Sequence, residues 1–140
     1  MAFLLLLGYL LGRNQVYVGN TAEQGESLSW SETVIQDKKL LLEIRGRINP
    51  TEREIVDRIC LLSVINSRSF YLNGVESKKD NSCQDNSTVN LQKDGNWKFE
   101  HTFSNPQRRI IRIEKIYKEK SSPGSDSYID FSFGRSIGQN

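Results

Sequence analysis

Ser87-Thr-Val-Asn-Leu-Gln-Lys-Asp-Gly-Asn-Trp-Lys-Phe-Glu-His-Thr-Phe103 carries the clearest alternation in the chain. Val89 and Leu91 alternate with polar residues, Asp94-Gly95-Asn96 supplies a turn, and Trp97, Phe99, His101 and Phe103 alternate with Lys98, Glu100 and Thr102. Successive side chains of a strand point to opposite faces, so this pattern predicts a hairpin with one aromatic and one charged face. Asp-Gly and Gly-Asn accept the positive φ angles of tight hairpin turns. An aromatic face of that size needs a second layer to cover it, which points to a layered β domain.

The flanking sequence extends the same pattern. Leu40, Leu42, Ile44, Gly46 and Ile48 fall on one side of a strand over 39–48, with Glu43, Arg45 and Arg47 on the other. Ser27–Val34 reads as a short first strand. Asn49-Pro50 followed by Glu52 and Glu54 is a helix-start signal, a cap with proline at the first position and an acidic first turn. We therefore expect a turn or short helix through Thr51–Asp57, then a strand from Arg58 to Ile65; a helix through Ile55, Ile59 and Leu62 is the competing reading. Ser69–Leu72 is a short strand ending at the Asn73-Gly74 turn. Arg109–Tyr117 and Tyr128–Phe133 follow, the latter with Ile129, Phe131 and Phe133 on one face. The sum is an all-β chain, an antiparallel sandwich of about seven short strands with one short helix. Ser77–Asn86 and Lys118–Ser127 are polar and should be loops.

At 140 residues the chain divides into a leader or anchor with a polar lead-in over 1–26 and one domain over 27–140. Met1–Gly12 is apolar apart from nothing more polar than Tyr9, and Arg13 ends the run. It suits an export signal and is shorter than the about 20 residues that span a bilayer. It lacks a basic start and a small-x-small cleavage site, so an uncleaved anchor and a buried strand or helix of the domain remain open. Cys60 and Cys83 lie 23 positions apart, a spacing at which a disulfide would staple a long loop; the alternative is a buried apolar Cys60 with a free Cys83.

Net charge is +2, too balanced for a dedicated nucleic-acid binder. One local bias runs through Gln107–Lys120, where six basic residues meet two acidic ones. Arg108, Arg109 and Arg112 are candidate contacts for an acidic partner, against the alternative of a solvated strand face. Trp30, in a polar setting, is a candidate exposed anchor for a protein partner. His101 is the only histidine, and on the aromatic face it reads as a packed, hydrogen-bonded core residue. No glycine-flanked serine elbow accompanies it. The carboxylate pairs Asp80/Asp85 and Asp126/Asp130 sit among flexible polar residues, unsuited to paired-acid chemistry. Oxygen ligands at Asp80-Asn81 and Asp85-Asn86 lack EF-hand spacing, and a lone histidine with two widely spaced cysteines argues against zinc. Asn86-Ser-Thr88 matches the N-glycosylation acceptor pattern. We expect no catalytic residues, cofactor, metal, nucleic acid or small-molecule substrate.

A strand ending in an apolar-Gly step (Leu42–Ile48), a Val-x-Leu strand leading into Asp94-Gly95-Asn96-Trp97, a branched-aliphatic strand and a final alternating strand together resemble bacterial immunoglobulin-like modules of surface and periplasmic proteins. The likeness covers Leu40–Phe133 and is most specific at Asp94–Trp97. The chain departs from that pattern in the helix-like start of Asn49–Ile65 and in the missing Gly-Asn approach to the last strand. The resemblance implies an immunoglobulin-like sandwich used for spacing, adhesion or docking, and no catalysis. The expected function is a non-enzymatic, exported binding or structural module making protein–protein contacts at a cell surface or in a membrane-associated assembly. The alternative is an accessory subunit of a membrane complex anchored through Met1–Gly12.

Overall fold

The computed structural model describes residues 26–77, 83–119 and 127–134 in full and the backbone of 10–17. It is all-β, with nine strands: β1 (Leu10–Tyr17), β2 (Ser27–Ile35), β3 (Lys39–Arg47), β4 (Val56–Ile65), β5 (Arg68–Phe70), β6 (Thr88–Val89), β7 (Asn96–Phe103), β8 (Arg109–Tyr117) and β9 (Ser127–Phe133). Two antiparallel sheets form a sandwich. One runs β1-β2-β3-β7; the other runs β5-β4-β8-β9, with β6 also paired to β4. β1 lies within residues 1–26 and pairs along β2 from Leu10↔Ile35 to Tyr17↔Leu28. Of the Met1–Gly12 run read as a leader or anchor, residues 1–9 lie outside the described residues and the last three begin β1; 78–82 and 120–126 of the two expected loops also lie outside them.

Alternation places the core. On β3, Leu40, Leu42 and Ile44 are buried completely, while Arg45 and Arg47 face water. Across the gap, Ile59 and Leu61 of β4, Ile111 and Ile113 of β8 and Phe133 of β9 join them in one cluster. Core and surface positions thus alternate along β3 and β7, and a register slip of one residue would turn these side chains out to solvent.

The stretch from Ser87 to Phe103 is not a hairpin. Its turn forms as expected, with Gly95 N–H donating to Gln92 O at 2.9 Å and Gln92 N–H to Asn96 O at 2.9 Å. The flanking strands then part: β6 pairs with β4 in one sheet and β7 with β3 in the other. The Arg53 guanidinium donates to the carbonyls of Gln92 (2.6 Å) and Leu91 (3.3 Å), fixing the segment that leads into the turn. Asp94–Trp97 is therefore a crossover between layers, tied to the end of β3 by the Ile48 N–H···O Gly95 bond at 3.0 Å.

Asn49 behaves as the cap its sequence suggests: its Oδ1 accepts from Thr51 N at 3.0 Å and Thr51 Oγ1 at 2.9 Å. Only the single 3-10 turn Pro50–Glu52 follows, and the chain then enters β4 at Val56. The β4–β5 reversal uses Asn66 and Ser67, both at positive φ, a two-residue turn whose twist matches the strands.

Cys60 and Cys83 are joined by a disulfide. It lies outside the main core, in a satellite cluster with Leu62, Tyr71 and Ile116. The bridged segment is also held by polar contacts. Leu72 N–H donates to the buried Ser87 Oγ at 3.0 Å, Asn73 Nδ2 to Gln84 Oε1 at 2.6 Å and Thr88 Oγ1 to Cys83 O at 3.1 Å.

Candidate functional site

The two ends of the sandwich differ in chemistry. At one end a cleft of about 260 Å3 opens between β2 and β9, with Leu28, Ile48, Trp97, Ile113 and Ile129 among its apolar lining. Its polar lip is built on Lys115. Lys115 Nζ lies 2.8 Å from Glu52 Oε2 and 3.8 Å from Glu26 Oε2, and Tyr117 OH donates to the same Glu52 oxygen at 3.2 Å. Burial acts to lower the Lys115 pKa, but the Glu52 hydrogen bond and the charges of Glu26 and Glu52 outweigh it, and the net direction is up. A raised pKa means stability that is fully present below the ordinary value of 10.5 and lost as pH rises through the folded value. Lys115→Met should therefore destabilise the fold by about 1–3 kcal/mol at pH 7, leaving two carboxylates without their cation. Urea titrations at pH 7 and pH 11 should show the parent losing stability over that interval and the variant losing distinctly less.

β9 forms the wall of this cleft and, among the described residues, has a single strand neighbour, β8. Tyr128 is 59% exposed and Ile129 40% exposed, so the strand presents apolar surface on both of its faces beside an open edge.

At the opposite end a second cavity, of about 470 Å3, has Ser63, Ile65, Phe70, His101, Phe103 and Arg109 among its lining. His101 packs between Phe99, stacked at 6.1 Å, and Phe103, edge-on at 4.6 Å. Arg109 lies over the Phe103 ring at 4.0 Å. Burial, and then the Arg109 charge, push the His101 pKa below 6.5. Burial also lowers that of Arg109.

These placements revise several expectations. Arg108, Arg109 and Arg112 do not make one basic patch, because strand alternation divides them. Arg109 faces inward onto Phe103. Arg112 faces outward in a bidentate pair with Asp130, at 3.0 and 3.2 Å, and covers the Tyr128 ring at 3.9 Å. That pairing, led by the hydrogen bond to Asp130, raises the Arg112 pKa. Arg108 is exposed before β8 begins. Trp30 is not an exposed anchor. It occupies an inward position of β2 and packs on Phe131 (5.6 Å) and Phe133 (5.7 Å), with Nε1 buried and unbonded among the described residues. His101 is packed as expected but forms no hydrogen bond among the described residues. Asp130 belongs to Arg112 and Asp85 is exposed in a 3-10 turn; Asp80, Asn81 and Asp126 lie outside the described residues. Asn86 is exposed and Ser87 buried. No group of metal-ligating side chains occurs among the described residues, and no described helix is long and apolar enough to cross a membrane. The open β9 edge was missed; only the strand itself was legible, because edge position depends on which strands pair.

No family model matches the chain, and neither curated proteins nor solved structures give a match.

Proposed function

We propose that this chain is a non-enzymatic, exported binding module of immunoglobulin-like build that docks a protein partner along β9. The observation carrying the proposal is the β9 edge, which no second strand covers among the described residues and where Tyr128 and Ile129 flank an apolar cleft. A strand edge offers a row of backbone donors and acceptors, and adjoining apolar pockets supply selectivity for side chains of an added strand. The immunoglobulin-like assignment draws support from strand order. β2-β3-β7 facing β5-β4-β8-β9 corresponds to the A-B-E and C′-C-F-G arrangement of that fold. Export draws support from the Cys60–Cys83 bridge, since such bonds persist in oxidising compartments.

The test uses cells that make the protein naturally. A photo-crosslinking residue at Tyr128 should give a discrete protein adduct that disappears when Ile129→Lys is added, while the same residue at Lys98, on the outer face of the other sheet, should not. Adducts of equal yield at both positions, or none at Tyr128, would overturn the docking surface. Cytosolic retention of the native protein, or its isolation with free thiols, would overturn export.

A further inference from the structure

We propose that the cavity between β4, β5, β7 and β8 is a binding site for a small organic carboxylate with an apolar body. Arg109 carries the argument. Buried cations in folded proteins are ordinarily paired, because a charge removed from water without a counter-ion is costly. Arg109 is half-buried, yet among the described residues no carboxylate meets it. Its Nε donates to Gln107 O at 3.2 Å, and its Nη2 to Asn105 O at 2.7 Å and Asn105 Oδ1 at 2.8 Å. Those bonds and the Phe103 ring fix the guanidinium in place, and Nη1 keeps its donors.

Its nearest titratable neighbour on the cavity wall is a histidine, which repels it when charged. His101 and Ser63 both line the cavity and both lack hydrogen-bond partners among the described residues. Three donor-bearing side chains therefore line one cavity, and among the described residues no carboxylate lines it with them. The rest of the wall joins the apolar and aromatic side chains of Ile65, Phe70, Leu72 and Phe103 to Tyr71, Thr102 and Ser104, and the volume falls in the about 300–1,000 Å3 range of small-molecule sites. A carboxylate meeting Arg109 Nη1 and His101, with its apolar body against Phe70 and Leu72, matches both halves of this lining. The site lies at the far end of the sandwich from the β9 cleft, so it stands or falls separately from partner docking.

A bound anion favours the imidazolium form of His101, so by linkage affinity must rise as pH falls through the pKa of the free site. The other groups facing His101 do not supply that anion. Arg109 comes from β8 and Tyr71 follows β5. Glu43 and Glu100 lie on the opposite face of their sheet. Glu32, on the inner face of β2 beyond Leu42, accepts the Gly134 N–H.

The experiment is a titration of the folded chain with phenylacetate, read by NMR at the His101 ring and the Arg109 side chain, with phenylacetamide as the neutral control. Saturable shifts at both residues with a dissociation constant of about 1 mM are expected for a ligand of this size. The amide should bind at least about tenfold more weakly, and phenylacetate about fivefold more tightly at pH 5.5 than at pH 7.5. Arg109→Gln should abolish the preference for phenylacetate over the amide. His101→Phe, which keeps the aromatic packing should Arg109→Gln fail to fold, should retain that preference and lose its pH dependence. Equal binding of acid and amide, shifts centred elsewhere, or no saturation would overturn the proposal.

Discussion

Gly46→Val should destabilise the protein by about 3 kcal/mol, the upper end of what overpacking a core costs, and lower the midpoint of thermal unfolding by roughly 10 °C. Gly46 and Trp97 are direct partners across the β3–β7 ladder, on the inward face of both strands. A Cβ on Gly46 would fall inside the indole, on Cε2, Cζ2 and Nε1. Valine is ordinarily the better strand residue, so the cost must come from displacing Trp97. That gives a sign test. In a Trp97→Ala background the space is vacant, and Gly46→Val should be neutral or stabilising. The single change Trp97→Ala is itself worth about 3–5 kcal/mol, and the double-mutant cycle should return a coupling of at least about 2 kcal/mol. Additive effects would mean that the glycine is not there to seat the tryptophan.

That pair also illustrates what could be read in advance. The alternation of Leu40–Ile48 and of Trp97–Phe103 exposes core membership directly, because period two needs no knowledge of neighbours. The β8 limits, Arg109–Tyr117, and the inward face of Ile129, Phe131 and Phe133 were legible for the same reason. What failed was pairing. The Asp94-Gly95-Asn96 turn looks local and does close locally, yet its flanks find partners far away in the chain, Thr88 and Val89 with Cys60 and Ile59 of β4 and Asn96–Phe103 with β3. Nothing in the local pattern announces that.

Charge suffered likewise. A run of six cations in Gln107–Lys120 appears as one patch on paper. In the sandwich Arg109 and Lys115 point inward at opposite ends of β8, and Arg112 points outward to Asp130. Trp30 was misplaced because the serines and acids beside it read as a surface segment. Yet β2 alternates too, and its inward face carries Leu28, Trp30, Glu32 and Val34. The inward Glu32 disguised that face, since a carboxylate breaks the apolar pattern while still being satisfied by a backbone N–H of Gly134.

The Cys60–Cys83 bridge should contribute about 3 kcal/mol, the loop-closure value for a span of 23 residues, and its removal should show in two quantities at once. In Cys60→Ala/Cys83→Ala, the urea midpoint should fall and the slope of the transition should steepen. The slope reports surface newly exposed on unfolding, and a chain freed of its cross-link unfolds to a more open ensemble. The native fold should survive because Ser87, Gln84 and Thr88 hold the same segment by hydrogen bonds, and because the core proper lies on the other face of β4. Far-ultraviolet dichroism of the variant should therefore match the parent in water. A shallower slope with lost dichroism would place the effect in the native state instead, with the satellite cluster of Leu62, Tyr71 and Ile116 coming apart. An unchanged midpoint would mean that the hydrogen bonds alone order this loop. The bridge would then bear on where the protein is made and not on how firmly it folds.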